Sequence, residues 1–247
     1  MYHPFTIGET VKAAWDILKK NFITIVVYSA IAVAFIILVA YLNEFINPQQ
    51  NFMISALLYL LILSIQGYTT LGLYKLIFTL IDSEYYEFEL SQVLPRFQLV
   101  LNFISLSLLF GVIVFIYQAI VLQLLLVNYE LLQNIVKTVG SIITLYIALR
   151  CMFCLCFIAD EHSGPIESLR QSFDLTRGEL IKILGILVII ILLIAIPAII
   201  AKFLSSPVLF GVLLIIVYPF VNIILATTYR KLMFSHKDVD DDVSETL

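Results

Sequence analysis

Six long apolar runs with very few charges constrain this chain more than any other feature of its sequence. They cover roughly residues 22–43, 53–81, 98–127, 136–158, 180–203 and 207–233. A helix needs about 20 apolar residues to cross the ~30 Å hydrocarbon core of a bilayer. Hydrophobic residues make up 62% of the chain and charged residues 13%, whereas soluble domains average about 45–50% and about 25%. The sequence therefore predicts an all-α polytopic membrane protein with six transmembrane helices.

The positive side chains divide unequally between the two sides of such a bundle. If the N-terminus lies inside, only Lys137 and Lys202 of the 14 Lys and Arg residues fall on the outer side. Because cytoplasmic loops carry the excess of Lys and Arg, both termini are expected in the cytosol. The first apolar run follows a segment of mixed charge and is long enough to span, so we expect it to remain as an anchor.

An internal match divides the chain into similar units. Residues 9–25, ETVKAAWDILKKNFITI, align without a gap with residues 167–183, ESLRQSFDLTRGELIKI, and a weaker copy occupies residues 92–106. Near the ends of the even-numbered spans, a base is followed three residues later by Phe at Lys75–Phe78, Arg150–Phe153 and Lys231–Phe234. Units of two spans all enter from the same side, so the repeats are expected to be parallel.

This periodicity predicts three parallel hairpin repeats, each preceded by a cytosolic-side interfacial segment or helix. Their expected bounds are about 6–82, 88–160 and 164–236, within one integral membrane domain over residues 1–236. The acidic tail over residues 237–247 is expected to be disordered in the cytosol, because its charge is high and its hydrophobicity low.

The matching segments have the pattern of helices that lie flat on the membrane. Val11 and Trp15 share one helical face, as do Leu169 and Phe173, while charged residues line another. Such a helix lies in the interface with its rings at headgroup depth. Pro at position 165 suits the first turn of the second helix, and Gly178 permits the turn from this helix into the following span.

Basic residues near the cytosolic ends of the spans are the main binding candidates. Lys75, Arg150 and Lys231 are expected to form a ring around the repeat axis, and with Arg170 and Arg177 they are candidates for binding a phosphate or another lipid headgroup. The alternative is that they only anchor the spans by snorkelling to the interface. Polar residues inside the spans either join helices or line a polar path; they are Gln66, Gln118, Gln123 and Asn222.

Nothing in the sequence predicts catalysis, a metal or another cofactor. The three histidines lie far apart, and zinc-protease, nucleophile-elbow and P-loop motifs do not occur. The sequence Asp160-Glu161-His162 is expected to be the start of a solvated loop. Cys151, Cys154 and Cys156 cannot complete a zinc quartet and are expected to behave as small hydrophobic residues. The expected function is therefore non-enzymatic.

The segment Glu167-Ser-Leu-Arg-Gln-Ser-Phe-Asp-Leu-Thr-Arg-Gly178, together with Arg150, resembles bacterial YciC-type inner-membrane proteins. It is also similar to the membrane domain attached to some glycerophosphoryl diester phosphodiesterases. The resemblance implies a six-helix protein of the bacterial inner membrane that is linked to envelope homeostasis and carries no catalytic residues of its own. The family-typical positions are Arg150, Glu167, Ser172, Thr176, Arg177 and Gly178.

Two functions of different class follow from these observations. In the first, the protein binds or handles membrane phospholipids, with a homo-oligomer or envelope proteins as further partners and no nucleic acid. In the second, it is a channel or transporter for a small solute along the repeat axis.

Overall fold

Every regular element of the described chain is an α-helix. The computed structural model describes residues 6–45, 52–82, 93–126, 130–204 and 207–244. The helices in these ranges are α1 (Ile7–Lys20), α2 (Phe22–Phe45), α3 (Phe52–Asp82), α4 (Phe97–Leu126), α5 (Glu130–Arg150), α6 (Cys154–Asp160), α7 (Pro165–Leu175), α8 (Leu180–Phe203) and α9 (Pro207–Ser244). Six candidate membrane spans lie within them, at residues 22–39, 53–82, 97–123, 134–160, 180–200 and 211–235. The prediction of an all-α chain with six helices able to cross a membrane is confirmed.

The two short helices α1 and α7 bury a face of small and medium-sized residues. The buried residues of α1 are Thr10, Ala14 and Leu18, and those at the matching positions of α7 and its C-cap are Ser168, Ser172 and Thr176. Trp15 and Phe173, which also match, remain 53% and 38% exposed. The small face packs on the bundle, α1 on α9 and α7 on α6, and the two rings lie beside this face.

The start of α7 and the turn that follows it are those that the sequence predicts. Gly164 precedes the helix and Pro165 is its first residue, where the missing N–H of proline costs no hydrogen bond. Gly178 has a φ of 88°, a left-handed conformation that glycine adopts without steric penalty. The chain turns there, and α8 begins at Leu180.

The fourth span is not the single helix that the apolar run over residues 136–158 predicted. A turn at residues 151–153 separates α5 from α6. Lys75 lies seven residues before Asp82, whereas Arg150 lies ten residues before Asp160. The three additional residues between Arg150 and Asp160 equal the length of the turn. Both helices, α3 and α6, therefore still end on an aspartate.

Close packing is concentrated at one end of the bundle, which we call the charged end; there α3 stops at Asp82 and α6 at Asp160. Buried apolar residues cluster near this end in α3, α6 and α9. Farther away, residues 111–116 of α4 and 141–146 of α5 are exposed without interruption. A helix that packs on one side shows burial every three or four residues, so these segments contact little of the described chain.

The helix α9 extends beyond the predicted sixth span and takes in most of the acidic tail. No Pro or Gly follows Pro219 up to Ser244, so nothing in this stretch interrupts the helical hydrogen bonds. The structure assigns residues 237–244 to α9. The start of the predicted second repeat, at about residue 88, and the last three residues of the tail lie outside the described residues.

Candidate functional site

Three helices are joined at the charged end by one arginine of α9. Arg230 donates from Nη1 and Nη2 to Oδ2 and Oδ1 of Asp160, both at 2.9 Å, and Nη2 also donates to Oδ2 of Asp82. The hydroxyl of Tyr229 donates to Oδ2 of Asp160 at 3.0 Å. A two-pronged contact between arginine and a carboxylate is both strong and specific in geometry. Arg230 therefore fixes the ends of α3 and α6 to α9.

Aromatic rings surround the inner side of this ion-paired cluster. The ring of Tyr229 lies 5.7 Å from that of Phe78, 6.4 Å from that of Phe153 and 5.0 Å from that of Phe157. The guanidinium carbon of Arg230 lies 4.8 Å from the centre of the Phe78 ring. The rings attract the cation through their π faces and shield its pair with Asp160 from water, so that ion pair gains strength from a lower local dielectric.

An open cleft of about 400 Å³ adjoins the cluster. Its lining residues are Lys75, Phe78, Thr79, Asp82, Ala159, Asp160 and His162. Lys75, Thr79 and Asp82 follow one another at intervals of four and three residues, so they share one face of α3. The Nζ of the half-buried Lys75 lies 3.5 Å from the carbonyl oxygen of Leu94. The cleft thus combines a cation and carboxylates close to the end of a candidate span.

A polar network fixes the loop at the rim of the cleft. Ser163 donates from Oγ to Oε1 of Gln171 at 2.7 Å, and Gln171 donates from Nε2 to Glu161 at 3.0 Å. Asn102 of α4 donates to the carbonyl oxygen of Ser163 at 3.1 Å. Glu161 and His162 are exposed, as expected for a solvated loop, whereas Asp160 is engaged by Arg230.

Arg150 contacts the carboxyl end of α7. Its Nη1 donates to the carbonyl oxygen of Phe173 at 3.1 Å and to Oγ1 of Thr176 at 3.2 Å, while Nε donates to the hydroxyl of Tyr146 at 3.2 Å. The last carbonyls of a helix lack helical partners and carry partial negative charge, which a cation stabilises. Arg150 therefore holds α7 against α5.

The five predicted headgroup-binding bases lie in different surroundings. Lys75 lines the cleft and Arg150 caps α7, although the sequence placed both in one ring. Lys231 is half-buried on α9, while Arg170 and Arg177 are exposed on α7 and in the turn that follows it. Binding of a headgroup by any of these residues stays a prediction.

The hydroxyl of Ser172 bridges the break between α5 and α6. It donates to the carbonyl oxygen of Arg150 at 2.6 Å and accepts from the N–H of Phe153 at 3.2 Å. The turn at residues 151–153 removes these two backbone groups from the helical pattern, and buried groups of this kind need other partners. Ser172 has no solvent exposure, so its one side chain satisfies both.

The polar and thiol residues predicted inside the spans are dispersed. Gln66, Gln118 and Gln123 are exposed, and Gln118 lines a largely apolar depression of about 370 Å³ on α4. Asn222 is buried and donates to the carbonyl oxygen of Tyr218 in its own helix at 2.8 Å. The three thiols are free; those of Cys154 and Cys156 are buried, and that of Cys151 is half-buried.

Sequence reasoning missed the central residue of the site. The repeat pattern directed attention to Lys231, and Arg230 next to it was counted only as a cytosolic positive charge. The available signal was a matching pair of acids: Asp82 and Asp160 end two predicted spans on the same side as Arg230. Opposite charges at one depth in different helices attract one another strongly in a medium of low dielectric.

Comparison with known proteins places the chain in a family. No curated protein and no solved structure matches it significantly. The sequence pattern of a family described as a domain of unknown function, DUF7847, matches residues 5–232. This range includes α1 and the ion-paired cluster. The chain therefore belongs to the DUF7847 family.

Proposed function

We propose that this protein is a non-enzymatic membrane protein that binds the headgroups of phospholipids in the cleft at its charged end. The observation that carries the proposal is the position of Lys75. This half-buried residue lies in the last two turns of a candidate span and lines the cleft. An ionisable residue at such a depth is a candidate for function, and basic pockets between membrane helices recognise phosphate headgroups.

The surroundings of Lys75 suit a lipid better than a small soluble anion. The carbonyl that its Nζ approaches belongs to Leu94, whose side chain is 67% exposed, and Phe97 is 63% exposed nearby in the chain. A phosphate bound to Lys75 would therefore have apolar surface beside it along which acyl chains can run. Burial of that surface adds about 25 cal/mol for each Å² removed from water.

The proposal includes three parallel hairpins with both termini in the cytosol of a bacterium. The order of one short helix and two long helices occurs at α1–α3 and again at α7–α9, which supports the first and third repeats. An even number of spans brings both ends of the chain to one side, and the distribution of Lys and Arg favours the cytosolic side. A role in envelope homeostasis and protein partners are expected from the resemblance to YciC-type proteins alone.

A lipid-binding measurement on single variants tests the proposal. The purified protein in detergent would be titrated with short-chain phospholipids and the bound lipid counted by native mass spectrometry. We expect Lys75→Met to lose most of the binding and Lys75→Arg to keep it, because a phosphate needs a cation at that place. Lys12→Met, which removes an exposed lysine of α1, is the matched control.

Equal lipid binding by Lys75→Met and the wild type would refute the proposal. Arg150 is left out of this test because its loss would release α7. The alternative of a channel along the repeat axis requires an open path at the charged end. Tyr74, Phe153 and Tyr229 are buried there, which disfavours a channel.

A further inference from the structure

We propose that the cleft selects headgroups that carry a primary ammonium as well as a phosphate. This inference rests on the proposed binding of phospholipids and specifies their class. The cleft presents charges of both signs, since Lys75, Asp82 and Asp160 line it and Arg230 pairs with both carboxylates. Arg96 adds a further positive charge near Lys75. A purely anionic headgroup would bring its charge close to two carboxylates, whereas a zwitterion can place each of its charges beside an opposite one.

Asp82 is the carboxylate available to a ligand. Both oxygens of Asp160 accept hydrogen bonds from Arg230, and one of them also accepts from Tyr229. The contact of Arg230 with Asp82 involves Oδ2. The side chain of Asp82 is 52% exposed and that of Asp160 19%. A ligand cation in the cleft therefore meets Asp82 first.

The charges along α3 are arranged to complement those of a phospholipid, with the cation nearer the membrane and the acid farther out. Lys75 lies about 10 Å below Asp82 along the helix axis, at 1.5 Å per residue, so the cation is on the membrane side and the acid at the charged end. In a phospholipid the phosphate is next to the glycerol and acyl chains, and the amine is outermost. A Lys75 side chain turned toward the interface would shorten this separation.

Thr79 adds an acceptor between the two charges. Its Oγ1 donates to the carbonyl oxygen of Lys75 at 2.9 Å, so the hydroxyl proton is engaged and the lone pairs can accept. A primary ammonium has three N–H groups, which can donate hydrogen bonds to Asp82 and Thr79. A trimethylammonium group has none, so the cleft discriminates between two zwitterions of equal net charge.

The experiment compares headgroups on identical acyl chains. Wild-type protein in detergent is titrated with phosphatidylethanolamine, phosphatidylcholine and phosphatidylglycerol, with free phosphoethanolamine as a separate arm. We expect phosphatidylethanolamine to bind about tenfold more tightly than phosphatidylcholine, the difference that one hydrogen bond to a charged group supplies. Asp82→Asn should reduce this preference to about twofold or less, because it weakens phosphatidylethanolamine binding more than phosphatidylcholine binding, while Asp16→Asn on α1 keeps the preference.

A second variant leaves the ion-paired cluster intact. Thr79→Val removes the hydroxyl with little change in shape, and it should reduce the preference for the primary amine without affecting thermal unfolding. This variant decides the matter if Asp82→Asn fails to fold. A preference for phosphatidylethanolamine that survives in both variants would overturn the inference.

The remaining outcomes separate the inference from the proposed function. If Lys75→Met weakens all three lipids but the wild type does not distinguish the two zwitterions, only the headgroup selection is refuted. If no phospholipid binds, the proposed function falls as well. If free phosphoethanolamine binds as tightly as the lipid, the selected chemistry is confirmed and a membrane lipid as its source is refuted.

Discussion

The substitution Ser172→Ala tests the helix break most directly. The serine hydroxyl serves two backbone groups, the carbonyl oxygen of Arg150 and the N–H of Phe153, and the site has no solvent exposure. Alanine fits the space, because the matching position of α1 is Ala14, also buried. The variant therefore removes two hydrogen bonds without creating a clash.

The expected loss follows from the number of groups left without partners. A buried backbone group without a hydrogen bond costs about 1–3 kcal/mol. With two such groups, and some relaxation of the turn, we expect Ser172→Ala to lower the free energy of unfolding by about 2–4 kcal/mol. Ser168, one turn earlier and equally buried, donates only to the carbonyl oxygen of Pro165 in its own helix. Ser168→Ala should therefore cost about 1 kcal/mol.

Equilibrium unfolding in mixed detergent micelles measures both losses. Trp15 is the single tryptophan of the chain, and its ring packs edge-on against Phe220 at 5.6 Å, so its fluorescence reports the docking of α1 on α9. Circular dichroism follows the helices as a whole. If the two serine variants lose equal stability, Ser172 does not bridge the break and our account of the turn is refuted.

Three further predictions concern the same end of the bundle and the helix contacts. Arg230→Met should lower the free energy of unfolding by about 2–3 kcal/mol because it leaves Asp160 unpaired. The control Lys231→Met should cost less than about 0.5 kcal/mol. Equal losses would contradict the role of Arg230 in joining the three helices. Gly72→Ala should lower the free energy of unfolding by about 1–3 kcal/mol through overpacking, because the Cβ of the new alanine would meet the hydroxyl of Tyr28. If the hydroxyl is the obstacle, adding Tyr28→Phe to this variant should recover part of the loss. Gly178→Ala should cost about 1–2 kcal/mol for its left-handed backbone, measured by the same unfolding assay, and an unchanged stability would refute that strain.

The sequence predicted the elements whose signals are local. The apolar runs located all six candidate spans, with the fifth at residues 180–203 as the structure has it. Pro165 marked the start of α7 and Gly178 the turn after it, because proline and glycine restrict or free the backbone in known ways. The match between residues 9–25 and 167–183 located α1 and α7, although it pointed to the face of Trp15 and Phe173 and not to the faces that the structure buries.

The features that the sequence did not predict depend on contacts between distant segments. The break at residues 151–153 contains no Pro or Gly, so an apolar run gave no sign of it; it requires Ser172, nineteen residues beyond Phe153. The role of Arg230 depends on Asp82, 148 residues earlier in the chain. The difference between Ala14 and Ser172, at matching positions, was the available sign of the break. Helix α1 packs on the continuous α9 and needs no hydroxyl there, whereas α7 packs beside the interrupted backbone and needs one.

The uneven packing along the bundle axis determines how the protein responds to the thickness of its membrane. A bilayer that thins or thickens forces its helices to tilt or bend, at a cost of fractions of a kcal/mol per Å. In this chain we expect the exposed segments 111–116 and 141–146 to take up that adjustment, because they have few neighbours to displace. We therefore expect the far half of the bundle to deform with the lipid while the spacing between Lys75 and Asp82 stays constant.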